Sequence, residues 1–255
     1  MKRYVKKFII QSLNANKTNN PANPLTGNKV DDGYFDELHY NGNSWQISNV
    51  GRTATSYSSD TIVVVLESPH ISEFNINGQG LYPLVKDVRL KRNFATLIDD
   101  ATKKGILVLN QSKKYSIYLM NAIQYQCSLG LPTRYYRDYI FMYYWNHHLN
   151  DFKCRLKDFV LQHNVEVIIN LCTIGEHCGV TRIYNDSTKQ YENMNKSFCV
   201  TFLKKCNFYI PPKLKGHTIK HYVQYEIDAI TPTIPHFEGC HPSSRKFSNI
   251  PFKPI

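Results

Sequence analysis

The run Thr61-Ile62-Val63-Val64-Val65-Leu66 constrains this chain more than any other feature: six residues, five of them Ile, Val or Leu in unbroken sequence, and none charged. β-Branched side chains lose χ1 freedom in a helix and pack well on a pleated surface. The run does not alternate polar with apolar. It therefore predicts a strand covered on both faces, as in a parallel sheet lying between helices. VEVIINLC (165–172) has the same character, and YSIYLMNAI (115–123) reads as a further strand. Between these runs the spacing predicts helices. One spans 84–104, where Leu84, Val88, Ala95, Ile98 and Ala101 recur at near-helical intervals. The other spans 138–163, DYIFMYYWNHHLNDFKCRLKDFVLQH. A last short strand is expected in PTIPHFEG (232–239). Strands that alternate with helices need crossover connections and so pair in parallel. The expected fold is α/β: a three-layer sandwich around a central, mostly parallel four-stranded sheet.

Residues 11–60 are rich in Asn, Thr, Ser and Gly, and residues 1–60 read as an N-terminal arm with short elements. Residues 61–255 then form one domain. Within it, a polar insertion at about 179–232 carries a β-hairpin signal in TRIYNDSTKQYENM, and TIGEHC (173–178) reads as a helix start. No internal repeat is visible.

The formal net charge is +11, which points to a polyanionic partner, and DNA is the partner expected. A soluble basic protein without such a partner is the bland alternative. Eighteen Tyr and thirteen Phe accompany the basic residues, as in RYYRDYIFMYYWNHH (134–148). Aromatic faces stack on bases, yet most of these rings are better explained as a helix face covering a sheet. No segment is long and apolar enough to span a membrane. MKRYVKKFIIQSLN begins with basic residues, but its apolar part is too short for a signal peptide. Seven cysteines at irregular spacing, with no CxxC pair, fit reduced thiols in a cytoplasmic setting. A monomer is expected.

In open α/β sheets, ligands bind beyond the carboxyl ends of the strands. Three segments there are polar: LESPH (66–70), NAIQYQ (121–126) and HPSS (241–244). Together they resemble the motif set of the uracil-DNA glycosylase superfamily. One branch of that superfamily carries GQDPYH after its first strand and another carries GEAPG. VVVLESPH resembles the second, with Glu67 and Pro69 in register. ISEFNINGQGLYPLV follows with Glu73, Gly80 and Tyr82, matching a later acidic residue and a Gly-aromatic step. IYLMNAIQ ends a strand in Asn121, and HPSSRKF (241–247) resembles the superfamily's last motif. The likeness covers residues 61 to about 180 and again about 233–248.

The resemblance implies a DNA glycosylase that flips a base and hydrolyses its N-glycosidic bond. That reaction builds oxocarbenium character on the sugar and negative charge on the departing base. Glu67 would be the carboxylate that orients water and offsets the sugar's charge. His241 would donate to the base oxygen. Asn121 would read the Watson–Crick edge, since a carboxamide both donates and accepts. Tyr82 would stack on the base, with Ser68 and His70 lining the pocket. Ser243, Ser244, Arg245 and Lys246 would meet phosphates and the gap left in the duplex.

Departures from the superfamily shape the substrate expectation. No tyrosine follows Pro69 to exclude 5-substituted pyrimidines; His70 stands there. A 5-substituted cytosine, such as glucosylated 5-hydroxymethylcytosine in bacteriophage DNA, is therefore preferred over plain uracil, and a role in antiviral defence would follow. Uracil repair is the alternative. The early cysteine pair of an iron–sulfur cluster is missing, so no cofactor or metal is expected. No obvious lysine nucleophile stands in the motif loops, which implies a monofunctional enzyme that leaves an abasic site. Two rival readings remain open. Glu67, His70 and Glu73 would suit a metal-dependent nuclease, and the same fold could serve as an inactive DNA-binding module.

Overall fold

A computed structural model describes residues 29–48, 58–69, 73–74, 79–81, 83, 88–125, 127, 133–172, 181–185, 190–194, 219–239 and 253–254. Its elements in chain order are β1 (Gly33–Tyr40), β2 (Trp45–Ile47), β3 (Asp60–Leu66), α1 (Val88–Lys103), β4 (Lys114–Asn121), α2 (Thr133–Gln162), β5 (Asn164–Asn170), β6 (Thr181–Asn185), β7 (Gln190–Met194), α3 (Ile219–Ile230), β8 (His236–Glu238) and β9 (Lys253–Pro254).

The apolar runs behave as their composition dictates. Ile62, Val63, Val64 and Val65 are all 0% exposed, because β3 has helices over both faces. Val63 and Val65 pack with Phe141, Trp145, Phe152 and Leu156 of α2 and with Tyr222, Val223 and Ile227 of α3. Ile62, Val64 and Leu66 pack on the other side with Phe94, Leu97, Ile98 and Ala101 of α1. The molecule is an α/β fold with a central sheet between helices. The sheet order is β2-β1-β4-β3-β5-β8-β9, seven strands where four were expected. The inner four, β4, β3, β5 and β8, are mutually parallel. β1 with β2 at one edge, and β9 at the other, add antiparallel strands.

Three expectations need correction. Residues 33–47 are not a loose arm: β1 pairs along β4, and Phe35, Leu38 and Trp45 enter the core under α1. The domain therefore begins before residue 61. The hairpin is hard to see in sequence because Asp36, 0% exposed, lies in β1 and takes an ammonium from Lys91 at 2.5 Å. Its turn is conventional. Gly42 has φ +92, and the Asn41 side chain accepts the Asn43 and Ser44 N–H groups at 3.0 and 2.9 Å.

The proposed insertion also shrinks. Its hairpin is β6–β7, as expected, but α3 belongs to the core, with Ile219, Val223 and Ile227 at 0% exposure. On α1, Ile98 and Ala101 face the core as expected, joined by Phe94 and Leu97, while Ala95 is half-buried. The aromatic helix covers the sheet: Phe141, Tyr144, Trp145, Phe152 and Phe159 are all buried there. Among the described residues no helix is long and apolar enough to cross a membrane.

Candidate functional site

The parallel strands end together. Leu66 is in register with Asn121, and Val65 with Asn170. Hydrogen bonds continue past the strands. Ala122 N–H donates to Leu66 O at 2.7 Å and Ile123 N–H to Glu67 O at 3.1 Å. Leu171 N–H reaches Val65 O at 2.9 Å, and Gly239 N–H reaches Asn170 O at 3.1 Å. The carboxyl ends of four strands thus form one rim.

Two of the residues read from sequence meet on this rim. Glu67 immediately follows β3 and is 3% exposed; Asn121 closes β4 at 1%. Ser68 is half-buried beside Glu67, and Pro69 is buried. His70, Tyr82, His241, Ser243, Ser244, Arg245 and Lys246 lie outside the described residues, as does TIGEHC.

Asn121 is the unusual member. Its Oδ1 and Nδ2 are both buried, and neither has a hydrogen-bond partner among the described residues. A buried amide without partners forfeits about 1–3 kcal/mol for each unmatched group. Its main chain, by contrast, is fully held. Asn121 N–H donates to Asp32 Oδ1 at 3.0 Å, and Arg155 Nη2–H donates to Asn121 O at 3.0 Å and to Ala122 O at 3.5 Å. Arg155 Nη1 pairs with Asp32 Oδ2, closing a ring around the main chain of one residue. Burial raises the Asp32 carboxyl above its ordinary range, against the opposing pull of the Arg155 charge.

Under the rim lies a second polar group. Asn170 Nδ2 donates to Lys220 O at 3.1 Å and to Gln224 Oε1 at 3.0 Å, and its Oδ1 accepts the Cys172 N–H at 3.0 Å. Lys220, 4% exposed, donates its ammonium to Gly239 O. Burial pushes the Cys172 thiol well up, the nearby Glu67 carboxylate pushes it further, and the Lys220 charge opposes them. Cys172 is therefore a neutral, inert thiol, and Glu67 and Lys220 both act on it electrostatically. Among the described cysteines, Cys127 and Cys172 are buried and Cys154 is exposed. Among the described residues no group of three His, Cys, Asp or Glu side chains is placed to hold a metal ion.

Sequence reasoning did not find Asp32, Arg155, Asn170 or Lys220. Lys220 left a signal, since it sits three residues before Val223 and seven before Ile227 on the buried face of α3. Asn170 left a weaker one, as a lone amide ending an apolar run. Asp32 and Arg155 left none, because they act on main-chain atoms. Comparison with protein-family models, with curated proteins and with solved structures finds no match.

Proposed function

We propose that the protein is a DNA glycosylase of the uracil-DNA glycosylase kind. It extrudes a modified pyrimidine, preferably a 5-substituted cytosine such as glucosylated 5-hydroxymethylcytosine, and hydrolyses its N-glycosidic bond. One observation carries the reading. A buried carboxamide, Asn121, ends a central parallel strand in register with Leu66, the residue before Glu67, with its donor and acceptor both left unmatched among the described residues. A nucleobase edge offers a complementary acceptor and donor in one plane.

In this reading Glu67 holds the attacking water and offsets the sugar's developing charge. Asn121 fixes the base. His241, two residues beyond Gly239, donates to the base as its negative charge grows. The basic net charge of +11 supplies phosphate attraction that offsets the cost of flipping. The product is an abasic site without strand cleavage.

The test is mass spectrometry of bases released from DNA containing uracil, 5-hydroxymethylcytosine or its glucosylated form. Release of the substituted cytosines, abolished in Glu67→Gln while DNA binding persists, is the expected result. Efficient release of uracil alone would move the substrate to repair. Release of no base from any of them would overturn the reading.

A further inference from the structure

The four residues that lead into β1 touch both loops on which the proposed function depends. Gly80 lies in the segment after Glu67, and Phe74 and Gly80 bridge across it. A Cβ on Gly80 would stand 1.8 Å from the Lys29 carbonyl oxygen and 2.7 Å from its carbon. The two backbones are therefore in direct contact, with no room for any side chain. Val30, 0% exposed, donates its N–H to Gln124 O at 2.9 Å. Asp32 takes the Asn121 N–H, the Arg155 guanidinium and a hydrogen bond from the Gln124 side chain. Residues 29–32 thus lie against the loop after β3 at one end and bind the loop after β4 at the other.

Joining a strand to its sheet requires none of these contacts. They flank Asn121, and those of Asp32 and Arg155 reach it directly. Both of its main-chain polar groups are fixed by one ion pair, and its side chain is left for something else. A carboxamide turned over exchanges donor for acceptor, so its orientation decides which base edge it accepts. A displaced recognition group costs rate steeply, about 10²-fold for an error of 1 Å.

We propose that residues 29–32, with Arg155, form a strap that positions the Asn121 carboxamide and so sets which base edge the site accepts. The strap rests on the reading of Asn121 as the base-recognising group. Asp32, Gly80 and Arg155 are positioning residues in it.

The experiment combines a ratio and a spectrum. The ratio is kcat/KM for the best base over the next best. The spectrum is the side-chain amide signal of Asn121 in protein labelled with ¹⁵N-asparagine, assigned by its loss in Asn121→Ser. Asp32→Asn loosens the strap from one end, and Gly80→Ala displaces it from the other. Arg155→Lys keeps the charge but loses the planar fork. In the variants that remain folded, the ratio should fall about tenfold or more, and the Asn121 signal should broaden or double. An unchanged ratio and an unchanged signal in a folded variant would overturn the strap, and so would an equal loss on every base with the signal intact. If none of the three variants folds, the segment is scaffolding and the strap is overturned too. Should the wild-type protein release no base, the glycosylase reading falls separately and the Asn121 signal alone decides: a sharp single signal in Asp32→Asn refutes the strap.

Discussion

Replacing Asn121 with leucine should make the protein more stable and useless. Leucine has the branching and heavy-atom count of asparagine with a bulkier, apolar tip, and position 121 is 1% exposed. Both polar atoms there lack a hydrogen-bond partner among the described residues. Each unmatched group carries a desolvation penalty of about 1–3 kcal/mol, which leucine does not incur. Leucine also gains apolar burial, since the site is closed to solvent and Leu66, in register with Asn121 across the sheet, belongs to the core. Against this stands the cost of fitting a branched side chain into a packed site, about 1–3 kcal/mol. The balance favours the variant by about 1–2 kcal/mol, or roughly 2–4 °C per kcal/mol in melting temperature for a domain of this size. Urea unfolding followed by circular dichroism measures it: the midpoint should rise with the slope unchanged. Base release should fall to background in the same preparation. Loss of more than about 1 kcal/mol would refute the reasoning. The amide would then be holding the fold together rather than waiting for a ligand.

The other predictions concern its neighbours. Arg155→Met should destabilise by about 3–5 kcal/mol, because it leaves the Asp32 carboxylate buried and unpaired; the double variant with Asp32→Asn should recover part of that loss in a denaturation cycle. Burial raises the Asp32 carboxyl above its ordinary range on folding, so the native state binds the extra proton and stability falls as pH rises from that range through the raised value. Arg155→Met removes the opposing charge and should widen that window, so its deficit should shrink on acidification in unfolding curves collected across acidic pH. Glu67→Gln should keep DNA affinity within about twofold by fluorescence anisotropy while losing base release by about 10³-fold or more. Affinity for DNA should drop steeply with salt, and a flat log–log plot would remove phosphate contacts from the account.

Much of the frame was legible because burial on both faces leaves a plain record. β3, β4 and β5 are apolar runs, and α2 repeats its aromatics at helical intervals. The misses share one cause, which is polar residues placed inside. Lys220, Gln224 and Glu226 are all buried on α3, and they disguised a core helix as a polar insertion. Asp36 in β1 did the same for the first hairpin. The site was half legible for a related reason. Glu67 and Asn121 stand at strand ends, where a polar side chain after an apolar run is conspicuous. Asp32 and Arg155 bind peptide groups, and a peptide group has no sequence identity to betray its partner.

The chemistry around the end of β4 makes little sense as stabilisation. Burial raises the Asp32 carboxyl even with a guanidinium against it, so holding that carboxylate charged disfavours folding at neutral pH. A pair of well-packed apolar side chains in place of a buried ion pair is often neutral or stabilising. The Asn121 amide is a second cost, and the contact of Gly80 with the Lys29 backbone is a third constraint, because it forbids every side chain but hydrogen there. A core selected for stability alone would discard all three. They are kept within one connected set of residues, joined by the bonds from Asp32 and Arg155 to the Asn121 peptide. What that set fixes is the main chain of Asn121 at the end of β4, and on the proposed reading its free carboxamide is kept for a molecule that arrives with a matching edge.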